Sequence, residues 1–118
     1  MIITDTSFWV ALINKEDNLH IQAQAALKRA DRAFITTWPV ISETCYLLLK
    51  QIGNDTQTKF VHKIATRKIE VFELQVTHSL RITQLMQQYS DQPMELADAS
   101  LVVLAEHLGH GQILTGDQ

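Results

Sequence analysis

Short apolar runs alternate with longer amphipathic segments along this chain. The runs "MIIT", "AFITT", "IEVFEL" and "QILT" have the β-branched and aromatic composition that is typical of buried strands. The segments between them combine helix-forming residues with apolar positions at helical spacing. In order, these segments are "SFWVALIN", "HIQAQAALKRAD", "PVISETCYLLLKQIG", "TQTKFVHKIATRK", "THSLRITQLMQQY" and "PMELADASLVVLAEHLG". The pattern predicts four strands and six helices.

Several predicted helices carry signals for their ends. Thr6 or Ser7 is available to cap the first helix, and Pro39 and Pro93 each occupy a favourable first helical position. Gly53 ends the third helix. Strands joined by helical crossovers imply a parallel sheet covered on both faces, so the predicted fold class is α/β. In such sheets, functional loops gather beyond the carboxyl ends of the strands.

Length and composition indicate one globular domain spanning residues 1–118. Of the 118 residues, 46% are hydrophobic, which is enough for a substantial core, and no internal repeat is present. The N-terminal segment lacks a basic region and Asp5 interrupts its apolar run, so we expect neither a signal peptide nor a membrane span. The single cysteine, Cys45, excludes an internal disulfide and is best explained as a small core residue. We therefore expect a cytoplasmic protein.

The charge pattern limits how the chain could contact nucleic acid. A formal net charge of -3 argues against coating a nucleic acid by bulk electrostatics, so any phosphate contact is local. The basic residues of "LKRADR" and "KFVHKIATRK" are best explained as solvated helix faces. The chain contains no P-loop, nucleophile elbow or dinucleotide-binding fingerprint. Those classes of enzyme are excluded.

The stretch "PMELADAS" places two acids in one predicted helix. If Pro93 is the first helical residue, Glu95 is the third, where an acid is explained by the free amides and the dipole of the first turn. On the same count Asp98 is about the sixth, beyond the reach of capping. At about 100° per residue it would share the core-facing side with the apolar residues Met94, Leu101, Val102 and Ala105. A carboxylate on a core-facing side is costly unless it is paired or binds a metal.

Four acids are predicted to meet at one rim of the sheet. Asp5 closes the first strand, Asp117 follows the last, and Glu43 and Asp98 lie in the early turns of two helices. Glu43 taken alone could be a surface glutamate at the edge of a mostly apolar helix. Clustered carboxylates repel one another, and Mg²⁺ or Mn²⁺ would relieve that repulsion. Such an ion activates water for attack on a phosphodiester.

These residues resemble the PIN-domain ribonucleases, and in particular the VapC-like toxins of bacterial toxin-antitoxin pairs. The resemblance is carried by "IITDTS", "ISETCYLL", "PMELADASLVVLAEHLG" and "ILTGD", which occur in the family's order. It implies a three-layer PIN-like sandwich and a metal-dependent endoribonuclease that uses Mg²⁺ or Mn²⁺. In this family's pattern, the acidic catalytic and metal site consists of Asp5, Glu43, Asp98 and Asp117.

The resemblance also implies supporting residues and partners. Thr6 and Thr115 match small hydroxyl residues that support the ligands or bind phosphate, while Glu95, where relatives often carry aspartate, would be a peripheral acid. The implied partners are an RNA substrate, a cognate antitoxin and a second copy of the chain in a homodimer. The family normally continues past the last acid through an aromatic-containing strand, whereas this sequence stops at Gln118. We therefore expect a C-terminally truncated domain whose sheet lacks the fifth, edge strand.

Other interpretations remain open at this point. The chain could be a catalytically silent PIN-fold module that holds an antitoxin or a scaffold partner. A phosphate-accepting receiver domain is disfavoured, since no lysine follows a late strand. His107 and His110 are best explained by their place at the end of the last helix. Trp9 and Trp38 are expected in the core or at an interface, although either could stack on a base.

Overall fold

The computed structural model describes residues 1–89 and 91–115, and every predicted strand and helix is found there in the predicted order. The strands are β1 (Ile2–Thr4), β2 (Phe34–Thr37), β3 (Ile69–Phe72) and β4 (Ile113–Leu114). The helices are α1 (Thr6–Ile13), α2 (His20–Arg29), α3 (Trp38–Gln51), α4 (Asn54–Ala65), α5 (Ser79–Gln88) and α6 (Leu96–Leu108). A 3₁₀ turn, Val76–His78, leads into α5.

The four strands form one parallel sheet in the order β3-β2-β1-β4, flanked by the helices. Ile3 of β1 is in register with Ile35 of β2 on one side and Ile113 of β4 on the other. The α/β prediction is confirmed. Because all strands run the same way, their carboxyl ends share one rim, and α1 and α3 begin there directly after β1 and β2. Within the two described ranges, no helix has both the length and the apolarity needed to cross a bilayer.

An aromatic cluster holds α1 against the sheet. Phe8 is fully buried, and its ring lies 5.0 Å from that of Trp9 and 5.9 Å from that of Phe34. Trp9 also packs against Phe60 of α4, at 5.7 Å, so it is a core residue as expected. Trp38 is not a core residue, because it is 46% exposed at the start of α3. The residues that immediately follow Asp5 in the chain are therefore anchored in the core.

Threonine hydroxyls connect the carboxyl ends of β1 and β2. The Thr4 hydroxyl accepts the indole N–H of Trp9 at 2.9 Å and donates to the Ile35 carbonyl at 3.3 Å. The Thr36 hydroxyl donates to the Thr4 carbonyl at 2.8 Å. Both threonine side chains are fully buried, and each hydroxyl has a partner. These bonds run between the strands in addition to the backbone ladder.

Candidate active site

Three of the four predicted acids line one cleft at the carboxyl rim of the sheet. Asp5 follows β1, Glu43 lies in α3 and Asp98 lies in α6, and they share a cleft of about 190 Å³. Its other walls are Thr6, Ser7, Val40, Ala97 and Leu101. The fourth acid, Asp117, lies outside the described residues. No lysine, arginine or histidine from the described ranges lines the cleft, so its charge is wholly negative.

Asp5 is held in a fixed orientation because it caps α1. Its Oδ1 accepts the backbone N–H of Phe8 at 2.9 Å and the hydroxyl of Ser7 at 2.9 Å. The prediction that Thr6 or Ser7 is the cap is wrong, since the aspartate one residue earlier reaches the third amide of the helix. The cap leaves the rest of the carboxylate available to the cleft, where Asp5 is half-buried.

Ser7 links Asp5 to Thr115, and the sequence pattern did not predict this link. The Ser7 and Thr115 hydroxyl oxygens lie 2.8 Å apart, so a chain of hydrogen bonds runs from Thr115 through Ser7 to the Asp5 carboxylate. Thr115 is thus linked to Asp5 through Ser7, and its supporting role stays a prediction. Thr6 is buried, 8% exposed, and forms part of the cleft wall. The available signal was the spacing of Ser7 two residues after Asp5, which allows a local side-chain hydrogen bond.

Glu43 lies beyond the first turn of its helix, as predicted. α3 begins at Trp38, so Glu43 is its sixth residue and is out of reach of the free amides at the helix start. Its carboxylate is half-buried and, among the residues that the structure describes, has no hydrogen-bond or ion-pair partner. Helix capping therefore does not explain this acid.

The prediction for Asp98 is wrong in two respects. α6 begins at Leu96 rather than at Pro93, and Glu95 precedes it with an extended backbone. Asp98 is therefore the third residue of the helix, within the first turn, and its side chain is exposed rather than directed at the core. Leu101 is buried as predicted, and the rest of the buried side of α6 is formed by Ala97, Ala99, Ser100, Val103 and Leu104.

A hydrogen bond to the sheet sets the rotation of α6. The buried hydroxyl of Ser100 lies 2.6 Å from that of Thr37 at the end of β2, and it also bonds to the Ala97 carbonyl at 2.6 Å. Small residues at these positions let the helix approach the strand closely. Once Ser100 faces the sheet, Asp98 is turned toward the cleft that holds Asp5 and Glu43. Glu95, at the helix start, forms no side-chain cap and does not line the cleft.

The pKa of Asp98 is raised above its usual value. Partial removal of the carboxylate from water is the main cause, followed by repulsion from Glu43 and then from Asp5. The shift persists although the first turn of a helix favours a negative charge. The carboxylates are thus close enough to interact electrostatically, and the cleft carries negative charge that a bound cation would neutralise.

We expect Asp98→Asn to stabilise the metal-free protein. Because the pKa of Asp98 is raised on folding, the folded state binds its proton more tightly, so this residue's contribution to stability is lost as pH rises through the folded pKa. The gain in melting temperature from Asp98→Asn should therefore be larger at about pH 7 than at about pH 3, below the ordinary pKa of an aspartate, where the Asp98 carboxyl is mostly protonated in both the folded and the unfolded protein. Thermal melts in EDTA at the two pH values measure it. An equal gain at both would contradict the assignment of the repulsion to Asp98.

The donor atoms of the cleft fit a hard divalent cation. No group of three or more His, Cys, Asp and Glu side chains is close enough to ligate one ion within residues 1–89 and 91–115. Mg²⁺ does not require such a group, because it is usually held by one or two carboxylates and keeps several of its waters. One or two carboxylates from among Asp5, Glu43 and Asp98, in a cleft whose described lining holds no competing cation, meet that requirement.

The two histidines at the end of α6 have structural partners. The ring of His107 lies 4.8 Å from that of Phe72, and the His110 Nδ1 accepts the backbone N–H of Gln112 at 3.1 Å. Neither lines the acidic cleft. This agrees with the prediction that they are structural residues near the helix end.

The comparisons with known proteins agree with this fold. The sequence pattern of the PIN domain matches residues 2–118. Ribonuclease VapC26 of Mycobacterium tuberculosis is 25% identical over 117 residues, which cover 99% of this chain and 87% of that protein. The crystal structure of Mycobacterium tuberculosis VapC20, a Sarcin-Ricin loop cleaving toxin, superposes with a TM-score of 0.86 at 21% identity, over 93% of this chain and 85% of that one. The sequence match over residues 2–118, together with the order of elements, shows that this chain belongs to the PIN-domain family.

Proposed function

We propose that this protein is a divalent-metal-dependent endoribonuclease and the toxin of a toxin-antitoxin pair. The observation that carries the proposal is the meeting of Asp5, Glu43 and Asp98 in one cleft at the carboxyl rim of a PIN-domain sheet. The similarity to a ribonuclease, VapC26, and to an RNA-cleaving toxin, VapC20, supports RNA as the substrate class. We include Asp117 in the acidic site on the strength of the family resemblance alone.

The protein groups of the cleft have separate tasks in this proposal. Asp5 offers a carboxylate whose orientation is fixed by the Phe8 amide and the Ser7 hydroxyl. Asp98 and Glu43 supply negative charge from two helices. A bound Mg²⁺ or Mn²⁺ would lower the pKa of a coordinated water and stabilise the charge of a phosphodiester under attack. Thr6 and Thr115 would bind phosphate or support the acids, and Glu95 would stay peripheral.

We further propose a cognate antitoxin protein as the partner that restrains this activity, and a homodimer as the assembled form. The similarity to VapC toxins supports both, since pairing with an antitoxin and self-association are usual in that group. An antitoxin would control cleavage most directly by covering the acidic cleft. The proposed location is the cytoplasm, where both RNA and the antitoxin are made.

The test is cleavage of total RNA by the purified protein with Mn²⁺ and with excess EDTA. We expect cleavage with Mn²⁺ that stops in EDTA and returns when metal is restored, with products carrying 5′-phosphate and 3′-hydroxyl ends. Equal cleavage in EDTA would overturn the metal-dependent mechanism. Absence of cleavage under every metal condition would instead favour the silent binding module.

A further inference from the structure

A second cleft opens beside the acidic cleft on the same rim. It has a volume of about 280 Å³ and is lined by Val10, Asp17, Leu19 and Leu47, together with Thr6, Ser7 and Glu43. The last three also line the acidic cleft, so they form a common wall between the two. A ligand whose reactive group sits at the carboxylates would therefore place a neighbouring group in the second cleft.

The lining of this cleft suits a nucleobase and not a phosphate. Its apolar surface comes from Val10 of α1, Leu19 before α2 and Leu47 of α3. Its charged groups are the carboxylates of Asp17 and Glu43, and no lysine, arginine or histidine of the described ranges lines it. A phosphate would be repelled, whereas a flat base can contact apolar side chains and direct its polar edge to a carboxylate.

Asp17 is positioned by the turn between α1 and α2. Its Oδ1 accepts the Leu19 amide at 2.9 Å, its own N–H donates to the Asn14 carbonyl at 3.0 Å, and its carbonyl accepts the His20 amide at 3.0 Å. These bonds hold the residue in place but use only one of the roughly four acceptor positions of its carboxylate. Because Asp17 lines the cleft, we expect the remaining acceptor positions to serve a ligand there.

We propose that this cleft, defined by Val10, Asp17, Leu19 and Leu47, is a base-recognition subsite that selects guanine next to the bond that is cut. A carboxylate only accepts hydrogen bonds, and guanine presents two adjacent donors, N1–H and the N2 amino group, on its Watson–Crick edge. Uracil presents one donor between two carbonyl oxygens, which the carboxylate would repel. This inference rests on the proposed ribonuclease function and adds its sequence preference.

The experiment is cleavage of a single-stranded RNA library of random sequence with Mn²⁺, followed by sequencing of the product ends. The wild type should cut with guanine favoured over uracil at one position flanking the break. Asp17→Asn should lower that ratio by about tenfold or more, because a bidentate base contact typically carries discrimination of that order. Asparagine can still accept the Leu19 amide through its oxygen, so the turn is kept while a donor replaces an acceptor in the cleft.

Two matched controls separate recognition from general damage. Asp31→Asn makes the same chemical change at an exposed acid just before β2, near the opposite end of the sheet, and should leave the base preference unchanged. Leu47→Ala should raise the KM for guanine-containing oligonucleotides, whereas Leu49→Ala, on the solvent side of the same helix, should not.

The outcomes distinguish this inference from the function on which it rests. Cleavage by the wild type with an unchanged base preference in Asp17→Asn would overturn the guanine subsite and leave the nuclease proposal standing. Cleavage by the wild type without a preference for guanine on either side of the break would also overturn the guanine subsite and leave the nuclease proposal standing. A wild type that cuts no RNA under any metal condition would overturn both.

Discussion

Asp98→Asn should lower the rate of RNA cleavage by more than about a hundredfold while the fold remains intact. Replacing a residue that only orients a metal ligand typically costs 10–100-fold, so removing a carboxylate from the cleft itself should cost more. Partial burial of the carboxylate, followed by repulsion from Glu43 and Asp5, raises the pKa of Asp98. Asparagine removes the charge with little change in the size of the side chain. Single-turnover cleavage of a labelled RNA in Mn²⁺ measures the loss.

Glu95→Gln is the matched control, since it neutralises an acid three residues earlier in the chain. Glu95 is exposed, forms no side-chain cap and does not line the cleft, so its replacement should change the rate by less than about threefold, the equivalent of well under 1 kcal/mol. Near-normal activity in Asp98→Asn would remove Asp98 from the mechanism. An equal loss of cleavage rate in both variants would show that activity depends on the total negative charge of the rim, and not on the position of Asp98 in the cleft.

Phe8→Ala should lower the free energy of unfolding by about 3–5 kcal/mol, the cost typical of emptying a fully buried aromatic site. Phe8 has no exposed surface, and its ring contacts those of Trp9 and Phe34. A loss of that size is a large part of the 5–15 kcal/mol that stabilises most domains. Urea unfolding, followed by the tryptophan fluorescence of Trp9 and Trp38 together, would measure it.

Leu80→Ala provides the comparison for surface truncation, because Leu80 is 69% exposed. It should change stability by no more than about 0.5 kcal/mol. Phe8→Leu, which keeps an apolar side chain, should cost less than Phe8→Ala and gives a measurable value if the alanine variant does not fold. If the alanine and leucine variants are as stable as the wild type, Phe8 does not anchor α1.

The fold was predictable because each strand and helix has a local signature. The four β-branched or aromatic runs became the four strands of the described residues, and the helical segments between them forced parallel pairing. The helix start near Pro93 was not predictable in the same way. Proline is favoured in a first helical turn but does not require a helix, and here the chain stays extended through Glu95.

The sequence predicted which acids share the cleft more accurately than it predicted the orientation of the helix that carries Asp98. Their places at a strand end and in the early turns of two helices predicted that Asp5, Glu43 and Asp98 share one rim, and the structure brings these three to one cleft. The orientation of α6 was assigned from large apolar residues, whereas a contact between two small hydroxyl residues, Thr37 and Ser100, fixes it. Hydropathy scales give little weight to small hydroxyl residues, although these residues allow a helix and a strand to approach each other most closely.

The hydroxyl bonds between β1 and β2 have a consequence for how accurately the carboxylates are spaced. Sliding one strand past the other would leave the buried hydroxyls of Thr4 and Thr36 without acceptors, at a cost of about 1–3 kcal/mol for each unsatisfied group. Asp5 directly follows β1. Glu43 is the sixth residue of α3, the helix that directly follows β2. Because the two strands resist sliding, the distance between Asp5 and Glu43 is kept constant, although these acids lie 38 positions apart in the chain.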